Sequence, residues 1–180
     1  GQGEILVTPL QLANLYAAVG NRGYWYTPHV VKSITDPTTG KNVLSPFEKH
    51  ITTIDVAKFP GVNEGLFSVV EAGTARSARV EGITMCGKTG TAQNPHGDDH
   101  SMFAGYAPKD QPKIAIAVIV ENGGYGSTYA APIASLMVEM YLNDTIQSKR
   151  LPLEKRMLEA DLLGKYGIKR PADSLTVIKD

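Results

Sequence analysis

The sequence lacks several features that mark particular classes of protein. It has one cysteine, Cys86, which excludes an internal disulfide. It has no excess of either charge, since 18 basic residues balance 18 acidic ones. Domains that bind nucleic acid usually carry a basic excess, so we expect no nucleic-acid partner. No apolar run approaches the roughly 18 residues of a membrane-spanning helix, and we find no internal repeat.

The chain also lacks an initiator methionine and a signal-peptide pattern at its start, Gly1-Gln2-Gly3-Glu4. We expect a segment from the middle of a larger protein, with a processed or tagged terminus as the alternative. What is present suits one globular domain, because 180 residues with 42% hydrophobic composition can bury a sizeable core.

Hydrophobic periodicity predicts an α+β fold with helices packed on an antiparallel sheet. Three segments have a helical pattern: residues 8–19, about 61–73, and 130–142. The first begins with a capping box from Thr8 to Gln11. The last is predicted to turn these residues toward the core: Ile133, Leu136, Met137, Met140 and Tyr141. Three more read as strands: residues 83–91, 102–107 and 114–120, the last buried on both faces. A hairpin of residues 29–35 and 42–44 is predicted earlier. Short links favour antiparallel neighbours.

The character of the sequence changes after Asn143. Residues 144–180 hold 8 of the 18 basic and 6 of the 18 acidic residues. We predict a domain over residues 1–143 and a charged C-terminal tail over 144–180. The tail is expected to contain a short amphipathic helix within residues 152–163 and to be mobile beyond it.

Residues 82–89, Gly82-Ile83-Thr84-Met85-Cys86-Gly87-Lys88-Thr89, match the phosphate-loop pattern G-x-x-x-x-G-K-[ST]. A phosphate loop leaves a buried strand and enters a helix. Here residues 75–81 are not a buried strand, residues 83–85 prefer extended structure, and Gly90 opposes a helix. Nucleotide binding is therefore the disfavoured interpretation.

The favoured interpretation is a strand that carries Lys88-Thr89-Gly90-Thr91 along the edge of an active site. Lys88 would supply a positive field, and the hydroxyls of Thr89 and Thr91 would donate hydrogen bonds to an anionic substrate. Gly90 has no Cβ, so another chain could approach the backbone there. Lys-Thr-Gly is a signature of β-lactamases and penicillin-binding proteins. A solvated lysine on an ordinary edge strand is the alternative.

Segments along residues 1–143 extend this likeness, in the order in which a family has them. The sequence resembles the class B penicillin-binding proteins of the elongation type. The matching segments are residues 1–13 (Gly-Gln-Gly-Glu-Ile-Leu-Val-Thr-Pro-Leu-Gln-Leu-Ala), 71–75 (Glu-Ala-Gly-Thr-Ala), 87–93 (Gly-Lys-Thr-Gly-Thr-Ala-Gln), 100–108 (His-Ser-Met-Phe-Ala-Gly-Tyr-Ala-Pro) and 130–134 (Ala-Ala-Pro-Ile-Ala). The resemblance implies the C-terminal portion of a β-lactamase/transpeptidase-like domain.

The resemblance also implies a reaction. A D,D-transpeptidase cross-links peptidoglycan stem peptides through a serine acyl-enzyme, and β-lactams acylate the same serine. By matching position, Lys88 gives electrostatic support, and Lys88, Thr89, Gly90 and Thr91 bind the substrate. The backbone N–H of Thr91 is one of two oxyanion donors. The implied partners are D-Ala-D-Ala stem peptides, β-lactams and cell-elongation membrane proteins. The implied location is extracytoplasmic, anchored in the inner membrane. No cofactor is implied.

The nucleophile of that reaction is missing from this sequence. None of the nine serines begins a Ser-x-x-Lys motif, and none fits the second motif, Ser-x-Asn. Tyr141-Leu142-Asn143 fits a looser form but follows the third motif, so we interpret it as core and cap. We expect a chain cut just after the second motif, inactive alone, within a parent enzyme. A non-catalytic binding module of the same fold is the alternative.

Two other groups of side chains could carry chemistry. His96, Asp98, Asp99 and His100 include ligand types that zinc accepts, but their loop suits a polar turn at the rim of the cleft, and we predict no metal site. Cys86 would need a base such as His96 or His100 to act as a nucleophile, and a buried structural cysteine is favoured. Tyr125-Gly126-Ser127 is interpreted as a substrate-contacting loop or a plain connector. Trp25 is predicted to pack beside the hairpin.

The missing serine generates a direct prediction. The 180-residue chain, incubated with a fluorescent penicillin, should show no covalent label after denaturing electrophoresis, because no serine here has the lysine partner that activates it. A complete penicillin-binding protein run in parallel controls for the reagent. Stoichiometric labelling of a serine in this chain would show that the nucleophile had been misassigned.

Overall fold

The computed structural model describes residues 4–167 of the 180-residue chain. This part of the chain has helices and strands in mixed order, joined by short 3₁₀ turns. In chain order they are α1 (Pro9–Gly20), β1 (Tyr24–Tyr26), β2 (Lys49–Ile51), α2 (Phe59–Glu71), β3 (Cys86–Ala92), β4 (His100–Ala107), β5 (Ile114–Val120), α3 (Ala130–Asn143) and α4 (Leu151–Glu159). None of the helices within residues 4–167 is long and apolar enough to cross a membrane.

Helix α1 begins where its sequence predicts. The Thr8 hydroxyl accepts a hydrogen bond from the Gln11 backbone N–H at 3.3 Å, and the Gln11 side chain accepts one from the Thr8 N–H at 2.8 Å. Pro9 takes the first helical position, where no N–H is needed. The capping box and the helix predicted over residues 8–19 are therefore confirmed.

The main sheet has three antiparallel strands in the order β3-β4-β5. Thr89 pairs with Phe103 and Phe103 with Val118, which fixes the register across the sheet. The α+β class with an antiparallel sheet is thus confirmed. The prediction that residues 114–120 are buried on both faces is confirmed only in part: β5 contacts α1 and α3, but apart from Ile116 its residues are only partly buried, because β5 is the outer strand of the described sheet.

The predicted hairpin of residues 29–35 and 42–44 is wrong in its strands but right in its turn. Gly40 N–H donates to the Asp36 carbonyl at 2.8 Å, yet pairing stops at the single bridge of Thr35 with Asn42. The flanking side chains are exposed, so no buried face stabilises a longer ladder. The paired strands are β1 and β2 instead, where Trp25 stacks on His50 with ring centroids 5.5 Å apart.

The core lies between the sheet and the helices on its two faces. Phe103 belongs to a buried cluster with Ala130, Ala134 and Val138 of α3. Tyr106, three residues along β4, is fully buried next to Gly20 of α1, where an added Cβ would lie 3.0 Å from the tyrosine ring. Because alternate side chains point to opposite faces of a strand, α1 and α3 lie on opposite faces of the sheet.

Helix α3 turns a face to the sheet that differs from the predicted one. Its buried positions are mostly small, and Met137 and Tyr141 are 54% and 60% exposed. Of the five predicted core residues only Leu136 is buried. Small side chains let the helix approach the sheet closely, so the large apolar side chains lie on the outer stripe. The expectation is confirmed for Leu136, Ile133 is partly buried, and it is wrong for Met137, Met140 and Tyr141, because side-chain size alone does not identify the face that packs on the sheet.

The segment after α3 is held by a buried ion pair. Arg150 is 8% exposed and Glu139 is fully buried, with Arg150 Nε 3.1 Å from Glu139 Oε2. Arg150 also donates hydrogen bonds to the Ser135 hydroxyl and to the Arg79 carbonyl. Helix α4 follows; it begins at Leu151, one residue before the predicted range of 152–163, and ends at Glu159, within that range. The division of the chain at residue 143 stays a prediction, and the end of the predicted tail, residues 168–180, lies outside the described residues.

Breaking this ion pair should destabilise the fold. Arg150→Met leaves the Glu139 carboxylate buried without its partner, which typically costs about 3–5 kcal/mol in the free energy of unfolding. Urea unfolding measures this, with Lys155→Met as the matched control, because the Lys155–Glu159 pair is exposed and such pairs contribute only about 0.5 kcal/mol. The double variant Glu139→Leu with Arg150→Met should recover most of the loss. Equal effects of Arg150→Met and Lys155→Met would contradict the assignment.

Candidate active site

The residues Lys88, Thr89, Gly90 and Thr91 lie together on β3, an outer strand of the three-stranded sheet. Within residues 4–167, β3 has a strand neighbour only on the β4 side. Although side chains alternate between the two faces of a strand, the Lys88 ammonium and the Thr89 hydroxyl both contact Thr74 Oγ1. Lys88 is exposed and the next three residues are half-buried. The strand therefore presents one cation and two hydroxyls within four residues.

The interpretation of residues 82–89 as a phosphate loop is excluded by this geometry. Ile83 and Met85 are buried in the core, and Gly82 takes a left-handed conformation with φ of 82°. Lys88 and Thr89 lie inside β3 and not at the start of a helix. A phosphate loop needs a run of backbone N–H groups converging at a helix N-terminus, which a strand does not provide.

Thr74, in the turn after α2, makes direct contact with the motif. The Thr89 hydroxyl donates to Thr74 Oγ1 at 2.9 Å. The Lys88 ammonium lies 3.5 Å from the same oxygen and donates to the Thr89 carbonyl at 2.9 Å. Thr74 is not among the site residues predicted from the sequence. The only feature of the sequence that pointed to Thr74 was its place in the segment Glu71-Ala72-Gly73-Thr74-Ala75, which resembles the family.

β3 packs tightly against β4 and against the loop that contains Gly126. A Cβ at Gly87 would overlap the Phe103 ring, and a Cβ at Gly126 would overlap the carbonyl oxygens of Met102 and Gly90. The Gly126 site lies in the loop between β5 and α3, which is therefore in contact with the backbone of the motif. At Gly90 itself an added Cβ would lie 3.3 Å from the Met102 Cβ.

Two serines fix that loop in place. The Ser101 hydroxyl donates to the Tyr125 carbonyl at 2.8 Å and accepts from the Ala130 N–H at 3.1 Å. The Ser77 hydroxyl donates to the Ser127 carbonyl at 2.8 Å. Ser101 lies opposite Thr91 in the ladder, but it is fully buried and both its donor and its acceptor are engaged. It is a structural residue with no access to a substrate.

Three of the four potential metal ligands between residues 96 and 100 have separate partners. His100 Nδ1 accepts from the Asn122 N–H at 3.0 Å, and Asp99 accepts from the Asn94 N–H at 3.3 Å. Asp98 forms an ion pair with Lys165, whose contact lowers the pKa of the Asp98 carboxyl. Among residues 4–167, no three His, Cys, Asp or Glu side chains come together as a metal site.

Cys86 is the first residue of β3 and is fully buried. Burial raises the pKa of its thiol, which disfavours the reactive thiolate. Its sulfur contacts the Asn63 carbonyl oxygen at 3.5 Å. His100 lies opposite the far end of β3, six residues away or about 20 Å along the strand, so it does not serve as a base for Cys86.

Comparison with known proteins gives a consistent result. Residues 1–139 match the penicillin binding protein transpeptidase domain. The chain is 35% identical over 182 residues to the peptidoglycan D,D-transpeptidase MrdA of Haemophilus influenzae, covering 87% of this chain and 27% of that protein. It is 35% identical over 170 residues to the stage V sporulation protein D of Bacillus subtilis, covering 87% of this chain and 26% of that protein. The chain thus spans about a quarter of the length of these relatives.

Solved structures give the same picture. Penicillin-binding protein A of M. tuberculosis, as its imipenem acyl-enzyme complex, superposes with a TM-score of 0.69 at 28% identity, covering 79% of this chain and 32% of that one. Pseudomonas aeruginosa PBP2 superposes with a TM-score of 0.66 at 34% identity, covering 83% of this chain and 33% of that one. The α+β architecture described above is thus found within these larger proteins.

The close contact at Gly126 can be tested by adding one methyl group. Gly126→Ala should lower the free energy of unfolding by about 1–3 kcal/mol, because the new Cβ meets backbone atoms that have no room to move. The matched control is Gly65→Ala in α2, where an added Cβ meets nothing within 4 Å and should stabilise the helix by about 0.5–1 kcal/mol. Thermal unfolding measures both, and a neutral Gly126→Ala would contradict the packing.

Proposed function

The chain belongs to the penicillin-binding protein transpeptidase domain family, and we propose that it supplies the substrate-binding strand of a peptidoglycan D,D-transpeptidase. The observation that carries the proposal is the arrangement of β3, where an exposed lysine and two half-buried threonine hydroxyls lie within four residues of an outer strand. Relatives with 35% identity include a protein named as a peptidoglycan D,D-transpeptidase. The substrate is the D-Ala-D-Ala end of a stem peptide.

The proposed role of β3 is to hold the substrate's terminal carboxylate. Lys88 contributes a positive charge, and hydrogen bonds that involve a charged group are roughly twice as strong as neutral ones. Thr89 and Thr91 contribute hydroxyl donors, and Gly90 leaves space for the substrate backbone. The N–H of Thr91 acts as one oxyanion donor, a contribution typically worth about 2.7–4 kcal/mol in the transition state.

The nucleophile in this proposal comes from a part of the transpeptidase outside these 180 residues. No serine in the sequence is followed three residues later by a lysine. Attack by that serine on the penultimate D-alanine carbonyl expels the terminal D-alanine and forms an acyl-enzyme. The amine of a second stem peptide then displaces the serine and forms the cross-link. Because serine carries out this acyl transfer, the proposal requires no cofactor.

β-Lactams are the proposed inhibitors, since they carry a carboxylate and a reactive carbonyl in an arrangement that resembles the D-Ala-D-Ala end of the stem peptide. The similar protein from M. tuberculosis is known as an imipenem acyl-enzyme. We further propose an extracytoplasmic location with an inner-membrane anchor in the parent protein, and membrane proteins of cell elongation as partners. Both proposals rest on the resemblance to elongation-type enzymes.

The absent serine also supports a second candidate, a non-catalytic module that uses β3 to bind a carboxylate ligand or a partner. The two candidates differ in the residues that precede this chain in the parent protein. A serine followed three residues later by lysine, labelled by penicillin, supports the transpeptidase. A parent protein without such a serine supports the binding module.

Removing the charge of Lys88 tests its proposed role in binding the carboxylate, and removing a distant charge controls for the change in net charge. In the full-length protein, Lys88→Met should lower the second-order rate constant of acylation by a fluorescent penicillin about 10- to 100-fold, which corresponds to the loss of a hydrogen bond to a charged group. Lys113→Met is the matched control, because Lys113 is exposed just before β5 and away from the motif. Stopped reactions analysed by gel fluorescence give the rates. Equal rates for the wild type and Lys88→Met would remove Lys88 from the proposed site.

A further inference from the structure

Thr74 is held rigidly beside β3 although its side chain is exposed. The N–H groups of Gly73 and Ala75 both donate to the Val69 carbonyl at 3.1 Å, which closes the end of α2. Ala75, the next residue, is fully buried. A Cβ at Gly73 would lie only 2.8 Å from the Val69 Cα, so the turn fits closely on the helix end. These contacts fix the position from which the Thr74 hydroxyl reaches the motif.

The Thr74 oxygen is shared by two residues of the proposed carboxylate site. It accepts from the Thr89 hydroxyl at 2.9 Å and lies 3.5 Å from the Lys88 ammonium, at the long end of the hydrogen-bonding range. A threonine hydroxyl has two acceptor positions and one donor. With both acceptor positions used in this way, the donor of Thr74 remains available for a rearrangement when a ligand binds.

We propose that Thr74 is a positioning residue that links Lys88 to Thr89 in a chain of hydrogen bonds directed at the substrate carboxylate. The proposal rests on the carboxylate-binding role of β3 given above. In the empty site, Thr89 donates to Thr74. When a carboxylate binds, the Thr89 hydroxyl turns its proton to the carboxylate, and Thr74 turns its own proton to the Thr89 oxygen. Lys88 continues to donate to Thr74, so the three groups keep their partners.

The direction of these hydrogen bonds explains how they strengthen carboxylate binding. The chain of hydrogen bonds begins at a cation and ends at an anion, and each hydrogen bond polarises the next, which strengthens the final donor. The Thr89 hydroxyl therefore binds a carboxylate more strongly than an isolated hydroxyl would. The effect depends on the charge of the ligand: an uncharged ester receives little of it, because polarised donors favour an anion.

A simple structural role for Thr74 would have a different signature. If the contact only fastened the α2 turn to β3, its loss would affect all β-lactams alike, whatever their charge. It would also lower the stability of the protein. The test therefore needs a charged and an uncharged ligand, and a conservative variant that restores the hydroxyl.

The test uses the full-length protein with benzylpenicillin and its methyl ester, each measured by competition with a fluorescent penicillin. Thr74→Val, which keeps the shape and removes the hydroxyl, should lower the rate of acylation by benzylpenicillin about tenfold, as expected for the loss of a hydrogen bond that supports a charged partner. The rate of acylation of Thr74→Val by the methyl ester should stay within about twofold of the wild-type rate with that ester, because the uncharged ester gains little from a polarised donor. Thr74→Ser should behave as wild type with both, and thermal unfolding should be unchanged.

Two results would overturn the inference while leaving the proposed function intact. One is wild-type acylation of Thr74→Val by benzylpenicillin. The other is an equal loss with benzylpenicillin and with the ester, which would indicate a structural role. An unlabelled wild-type protein is a separate outcome, since it would overturn the proposed function and with it the role of Thr74.

Discussion

The pairing of β3 with β4 is the constraint on which the rest of the structure depends. Cys86 to Ala92 runs antiparallel to His100 to Tyr106, and close contacts at Gly87 and Gly126 leave no space between this ladder and its neighbours. Close-packed interiors transmit small displacements, so the positions of Lys88 and the threonines depend on atoms behind the strand. The geometry of the candidate site is therefore a product of the sheet and of the loop that leads to α3.

A second set of contacts ties the C-terminal part of the described chain to the same region. Arg150 forms its buried ion pair with Glu139 of α3 and donates a hydrogen bond to the Arg79 carbonyl. Arg79 lies a few residues after Thr74, in the stretch whose Ser77 bonds to the Ser127 carbonyl. The residues beyond α3 thus support the turn beside the motif. The charged composition of residues 144–180 does not reveal these contacts, because the hydrogen bond from Arg150 joins it to a residue 71 positions earlier in the sequence.

In the proposed function, the chain supplies the substrate-binding part of an active site and not its nucleophile. β3 offers a cation, hydroxyls and a glycine without a Cβ, and Thr74 adds a link between the cation and one hydroxyl. These groups suit the recognition of an anion, while the serines beside them are engaged in structural hydrogen bonds or lack a lysine partner. Under the function proposed for this member of the transpeptidase family, these groups bind and orient a carboxylate, and the nucleophile comes from another part of the parent protein.

Local patterns in the sequence were sufficient for several elements. The capping box of Thr8 and Gln11 located α1, and the apolar run of residues 114–120 located β5. The residues around Lys88 disfavoured a phosphate loop. These features depend on neighbours in the chain, and so the sequence by itself determined them. Tertiary structure decided which face of α3 is buried, which strands pair near Trp25, and that Thr74 reaches Lys88 and Thr89. Each of these depends on contacts between segments far apart in sequence, whose geometry is set only when the sheet and helices pack together.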